Sequence, residues 1–335
     1  MPARKFIEHP ARELISMSYA IPEDKSMQPP ALASWVSQEA QSHFAANVAG
    51  IVAPPGDIES TRAHYDTINH ARVELAKQLF PTSVERQVLN GVPVDVVSPL
   101  GQPDNGHRLI CLHGGAFMWG SGDGALVEAI PVAAVSGCTV IAVDYRLAPE
   151  HLFPAATDDV VACYRALLAD RPATRIALYG SSAGAMLSAQ VIARLIADGT
   201  PLPGAVAMLH GAGLDLDGDS MAVAPWLNGM AAQGVSVPRP VLPYLAGTHP
   251  GDPLVTPGER RAVFEHFPPS LLVTGTRDFA ASSVFTMHRR LHMAGVPAEL
   301  VVFDGLWHTH HVDTGLPESR EVFELLARFF ATHLK

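Results

Sequence analysis

An α/β fold with a mostly parallel central sheet and helices on both faces is predicted by three observations. Six short β-rich runs, RLICL, TVIAV, RIALYG, GAVAMLH, SLLVTG and AELVVF, alternate with segments of helical period near 124–136, 155–169, 183–198, 281–294 and 318–332. Most of these runs are apolar throughout, as strands covered on both faces must be. The stretch 84–98, VERQVLNGVPVDVVS, instead alternates on either side of Asn90-Gly91, which predicts a hairpin and so an antiparallel start to the sheet.

Two stretches break this rhythm. Residues 1–83 carry two helix-like segments, around 30–49 and 60–80, separated by the breaker AlaProProGly at 53–56. Residues 214–268 are rich in Gly, Pro and Met and separate GAVAMLH from SLLVTG. Long excursions from a compact domain are commonly functional coverings. We therefore expect an N-terminal helical cap segment over 1–83 and a catalytic domain over 84–335, with 214–268 as a lid insertion.

A length of 335 residues suits one sizeable domain with accessory segments or two small ones, and 48% hydrophobic residues allow a large core. Lys and Arg number 23 against 33 Asp and Glu, for a net charge of −10 without a basic run, which argues against nucleic acid as a partner. Cys111, Cys138 and Cys163 are widely spaced in apolar surroundings and are expected as buried free thiols rather than a disulfide or zinc framework. No window approaches the length of a membrane span, and the N-terminus lacks a continuous apolar core of signal-peptide length, so a cytoplasmic location is expected.

The strongest chemical signal is Gly180-Ser181-Ser182-Ala183-Gly184 between an apolar strand and a helical segment. Small residues there allow a sharp strand-to-helix turn that lifts the Ser182 hydroxyl above the sheet, with the helix N-terminus facing developing negative charge. A phosphate loop is the weaker reading, since the dinucleotide glycine spacing and the Lys of a P-loop are missing. Upstream, His113-Gly114-Gly115-Ala116-Phe117 follows RLICL. Its adjacent glycines, with Ala183, are expected to turn backbone N–H groups toward a substrate oxygen: Gly114, Gly115 and Ala183 are the candidate oxyanion hole, with His113 structural.

An activated serine needs a base, and the base an acceptor that sets its tautomer. In such folds both follow the serine in the order acid, then histidine, after later strands. Asp278 follows SLLVTG and His308 follows AELVVF, but His310, His311, Asp304 and Asp313 are rivals by residue type. A metal reading of this cluster is disfavoured, because the helical His-x-x-x-His pattern is missing; no metal and no cofactor is expected.

Taken with Asp144-Tyr145-Arg146-Leu147-Ala148-Pro149-Glu150 and the FPAATDD that follows, HGGAF and GSSAG in this order resemble the hormone-sensitive-lipase-like family of carboxylesterases within the α/β hydrolases, over roughly residues 85–335. The resemblance implies the α/β-hydrolase fold, serine ester hydrolysis, and Ser182, Asp278 and His308 as the catalytic residues. It also implies scaffold roles for Tyr145, Arg146 and Glu150. Departures are Ala116 for a third glycine, Ser181 for an acidic residue, Ala185 for a glycine and Phe279-Ala280 after Asp278, which mark a divergent branch. Short- to medium-chain acyl esters are the expected substrates, with lactones as a variant, and a small-ligand-binding protein without turnover is the alternative from another class. Trp35, Phe44, Met221 and Trp226 of the covering segments are candidate pocket residues, and a homodimer through the last strand and helix is an option.

Overall fold

The computed structural model describes residues 29–50, 56–101, 105–231, 233–235, 242–249 and 251–335. The stretch 1–28, the first part of the breaker at 53–56 and parts of 232–250 lie outside the described residues. Helices α1 (Gln38–Ala49) and α2 (Ile58–Leu79) precede the hairpin β1 (Thr82–Leu89) and β2 (Val92–Pro99). Asn90 and Gly91 have φ of 48° and 86°, the two positive values a tight hairpin turn requires. There follow β3 (Arg108–Leu112), α3 (Asp123–Ser136), β4 (Thr139–Val143), α4 (Ala155–Leu168), β5 (Ile176–Ser181), α5 (Ala183–Ala197) and β6 (Ala205–Leu209). The chain then runs through α6 (Asp219–Leu227), α7 (Arg261–Phe264), β7 (Ser270–Arg277), α8 (Ala281–Met293), β8 (Ala298–Trp307) and α9 (Pro317–His333).

The strands form one sheet in the order β1-β2-β4-β3-β5-β6-β7-β8. β2 pairs antiparallel with β1 and β4, and every pairing from β4 to β8 is parallel. Because side chains alternate across a strand, the buried runs feed two cores. Ile110, Leu112, Leu178 and Met208 join α4, α5 and α8 on one face, whereas Leu109, Cys111, Ala177 and Leu209 join α3 and α9 on the other. The three cysteines are free and buried.

The described part of 1–83 is not a body apart. Val36, Ala40, Val73, Ala76 and Phe80 are buried in the same core as α3 and α9, so α1 and α2 extend that helical layer. The segment 214–268 is likewise divided, with Tyr244, Phe264 and Phe267 buried in the opposite core. No helix among the described residues is long and apolar enough to cross a membrane.

Candidate active site

Parallel strands deliver their following loops to one edge of the sheet, and the chemistry of such folds collects there. At that edge Ser182 joins β5 to α5 with φ 53° and ψ −117°, a conformation rare for a residue with a side chain. Its N–H donates to the carbonyl of Leu209 at 2.8 Å, which ties the turn to β6. The turn depends on Gly184, where a Cβ would overlap the carbonyl of Leu112. Ala183 opens α5, so its N–H has no partner within the helix.

His308 follows β8, and its Nε2 lies 2.9 Å from Ser182 Oγ. Its Nδ1–H donates to Asp278 Oδ1 at 2.7 Å, which leaves Nε2 as the acceptor of the serine proton. Asp278 follows β7 and is fully buried. Burial alone pushes its carboxyl up, but the charge of His308 and the hydrogen bonds from His210 and His308 outweigh this and hold it well below the usual carboxylate range. The ring of Phe279 stacks on His308 with centroids 4.0 Å apart.

The loop after β3 lies against this turn. A Cβ on Gly114 would sit 3.4 Å from Ser182 Cβ, and Gly115, at φ 115°, has no room for one against the carbonyl of Trp119. His113 is fully buried, its Nδ1–H donating to Gly114 O at 2.6 Å while Tyr145 Oη–H donates to His113 O at 2.7 Å. Arg146 chelates Asp159, and Glu150 binds Arg62 of α2, whose Nε also donates to Met118 O at 2.8 Å. Tyr65 of α2 stacks on Trp119 at 4.6 Å. The hydrogen bond from Arg62 lowers the Glu150 carboxyl to about 2. Of the positions expected to be scaffold, Tyr145 bears on this loop directly and Glu150 through Arg62, whereas Arg146 ties its own segment to α4 through Asp159 and Ala155 O.

A cavity of about 50 Å³ opens beside Ser182, lined by Ala116, Ala183, Met186, His210, Gly211, Ala212, Leu214, Leu216, Leu242 and Phe279. The four expected pocket residues are not among them. Trp35 is 76% exposed and donates to Asp304 Oδ2, and Phe44 is buried beneath Trp307 and the Arg277 guanidinium. Met221 and Trp226 belong to α6, which packs on β7 and α8. Size and apolarity alone do not separate the residues of a cavity wall from those packed elsewhere.

The rival acids are engaged elsewhere: Asp304 holds Trp35 and Thr276, and Asp313 holds Arg72 and His43. His310 and His311 are buried behind the site. Two residues that the sequence reading passed over belong to it. His210, directly after β6, places Nδ1 2.8 Å from Asp278 Oδ2. Glu128, the one charged side chain in the apolar part of α3, accepts from Ser181 Oγ at 2.8 Å and lies 3.3 Å from His311 Nε2. The strand-end position of His210 and the isolation of Glu128 in an apolar helix were the available signals. Ligand-type atoms of His210, Asp278 and His308 lie within 4.8 Å of one another, a grouping their mutual hydrogen bonds account for.

Residues 109–312 match the family described as the alpha/beta hydrolase fold. The chain is 29% identical over 294 residues to an acetyl-hydrolase of Streptomyces hygroscopicus, covering 83% of this chain and 91% of that one. It is 27% identical to an esterase of Acinetobacter venetianus, covering 65% and 72%. Among solved structures, esterase E25 superposes with a TM-score of 0.78 at 30% identity, over 92% of this chain and 98% of that one. An esterase from the bacterial hormone-sensitive lipase family superposes at 0.76 and 28% identity, over 89% and 99%. With the matched segment covering most of the sheet and the serine turn, the chain belongs to the α/β-hydrolase fold family, in its hormone-sensitive-lipase-like branch of carboxylesterases.

Proposed function

We propose that this chain hydrolyses carboxylic esters of short acyl groups through a covalent acyl-serine intermediate. The observation that carries the reading is the hydrogen-bonded line Asp278–His308–Ser182 ending at the mouth of an apolar cavity. His308 Nε2 takes the Ser182 proton as Oγ attacks the ester carbonyl, and Asp278 stabilises the imidazolium that forms. The N–H groups of Gly114, Gly115 and Ala183 receive the oxyanion, each such donor contributing on the order of 10² to 10³ in rate. Collapse of the tetrahedral species returns the proton to the leaving alcohol, and water then repeats the sequence on the acyl-enzyme.

The small size of the cavity supports the short end of the acyl range. One water needs about 10–15 Å³, so about 50 Å³ admits a few such groups, which matches acetyl to butyryl. Leu214, Leu216 and Leu242 come from 214–268, which we assign as the cover of the site. The acetyl-hydrolase and esterase relatives agree with this substrate class.

The test is release of p-nitrophenol from esters of acetate through decanoate by wild type, Ser182→Ala and His308→Ala. Wild type should peak at the short end, and either variant, while still folded, should lose roughly 10⁴-fold or more in kcat. A folded wild type inert on every ester, or a Ser182→Ala variant of undiminished activity, would overturn the assignment.

A further inference from the structure

The carboxylate of Asp278 serves two imidazoles. Oδ1 accepts from His308 Nδ1 at 2.7 Å and from the N–H of Ala280 at 2.8 Å; Oδ2 accepts from His210 Nδ1 at 2.8 Å and from Thr274 Oγ1 at 2.7 Å. A carboxylate offers about four lone-pair sites, and all four are filled.

We propose that His210 is a positioning residue that shares the Asp278 carboxylate with His308 and thereby sets the acid limb of the enzyme's pH–rate profile. The proposal rests on the ester-hydrolase reading above. His210 is itself held rigidly. It is fully buried, its backbone N–H donates to Val273 O at 2.7 Å, and its ring stacks on His311 with centroids 5.3 Å apart and planes within 6°. The edges of His308 and His310 meet the ring at 5.8 and 5.0 Å, and Glu128 stands behind His311. Burial pushes the His210 imidazole down to about 4, against the hydrogen bond and charge of Asp278, so it is neutral where esterases are assayed. In that form Nδ1 carries its only proton, and that proton is committed to Oδ2.

The consequence lies in charge sharing. An aspartate bonded to a single histidine directs most of its negative charge at that ring and raises its proton affinity. Here His210 draws on the same charge through the other oxygen, and with Thr274 it fixes the carboxylate plane so that Oδ1 faces His308. Less of the Asp278 charge is then directed at His308, and the proposal expects activity to extend to lower pH than with an unshared aspartate.

The test is the pH profile of kcat/KM on p-nitrophenyl acetate for wild type, His210→Leu and His210→Asn. Loss of the donor in His210→Leu should move the acid-limb midpoint up by about one pH unit. His210→Asn, which can present an N–H near the position of Nδ1, should restore the wild-type midpoint. An unshifted midpoint in a folded, active His210→Leu variant makes His210 a space-filling residue and overturns the proposal, as does failure of Asn to restore a shifted one. If His210→Leu does not fold, proton NMR decides. Two low-field imidazole N–H signals in wild type, one of which persists in His308→Ala, support the sharing, and a single signal in wild type overturns it. If wild type hydrolyses no ester, the functional reading fails while the NMR arm still tests the shared carboxylate.

Discussion

Ser182 and Ser181 are consecutive residues with opposite tasks. Ser182 points its hydroxyl to His308, whereas Ser181 donates to Glu128 in the interior. Where the resemblance leads one to expect an acid beside the nucleophile, this chain supplies a carboxyl from α3. Glu128→Ala strands the Ser181 and His311 side chains in a buried site, so it should cost about 1–3 kcal/mol, read as a lower urea midpoint at unchanged slope. Leu216→Ala enlarges the cavity wall and should shift the acyl preference by roughly one or two carbons toward longer esters, measured on the same ester series. Identifying such a wall residue required the fold, since Leu216 differs in no sequence feature from the leucines buried in the cores.

At the level of elements, α2 does more than extend a layer. Its N-terminal half grips the loop after β3 through Arg62 and Tyr65, while its C-terminal half, at Val73 and Ala76, packs in the core. Arg62→Ala releases the Met118 and Ala148 carbonyls and leaves Glu150 unpaired. We expect kcat to fall by about tenfold with little change in KM, because the oxyanion donors proposed on this loop would act mainly in the transition state. The carboxyl of Glu150 is depressed to about 2, so the pair's stabilisation is present above the ordinary carboxylate range near 4.5 and is lost as pH falls from there toward 2. The Arg62–Glu150 pair should therefore survive at any pH where the enzyme works. Gly184→Ala, by contrast, sets a methyl group against Leu112 O and should abolish the serine turn, seen as loss of both activity and soluble yield.

For the whole molecule, the buried histidines dictate the acid limit of stability. His113, His210 and His310 are all pushed down, chiefly by burial, His210 to about 4. An imidazole whose folded value lies below its unfolded value of about 6.5 binds its proton preferentially in the unfolded chain. Stability is then fully present above about pH 6.5 and declines as pH falls through the window down to the folded values. Chemical denaturation at pH 7.5 and pH 5 should show lower stability at pH 5, with about 2 kcal/mol lost for each of these histidines that stays neutral in the folded chain. His210→Leu should flatten that dependence.

The α/β architecture and the antiparallel hairpin were legible because each depends on a short-range pattern: uninterrupted apolar runs for strands covered on both faces, and Asn-Gly for a turn that needs two positive φ values. The serine turn and the glycine loop were legible because backbone crowding tolerates few residue types at such places. Tertiary structure alone decided what depends on distance between remote segments. It turned Trp35 and Phe44 away from the cavity and brought His210 and Glu128 into the site. A side chain's local sequence limits its backbone, but its partners are set by the sheet order, which brings Ser182 and His308, 126 positions apart, within one hydrogen bond.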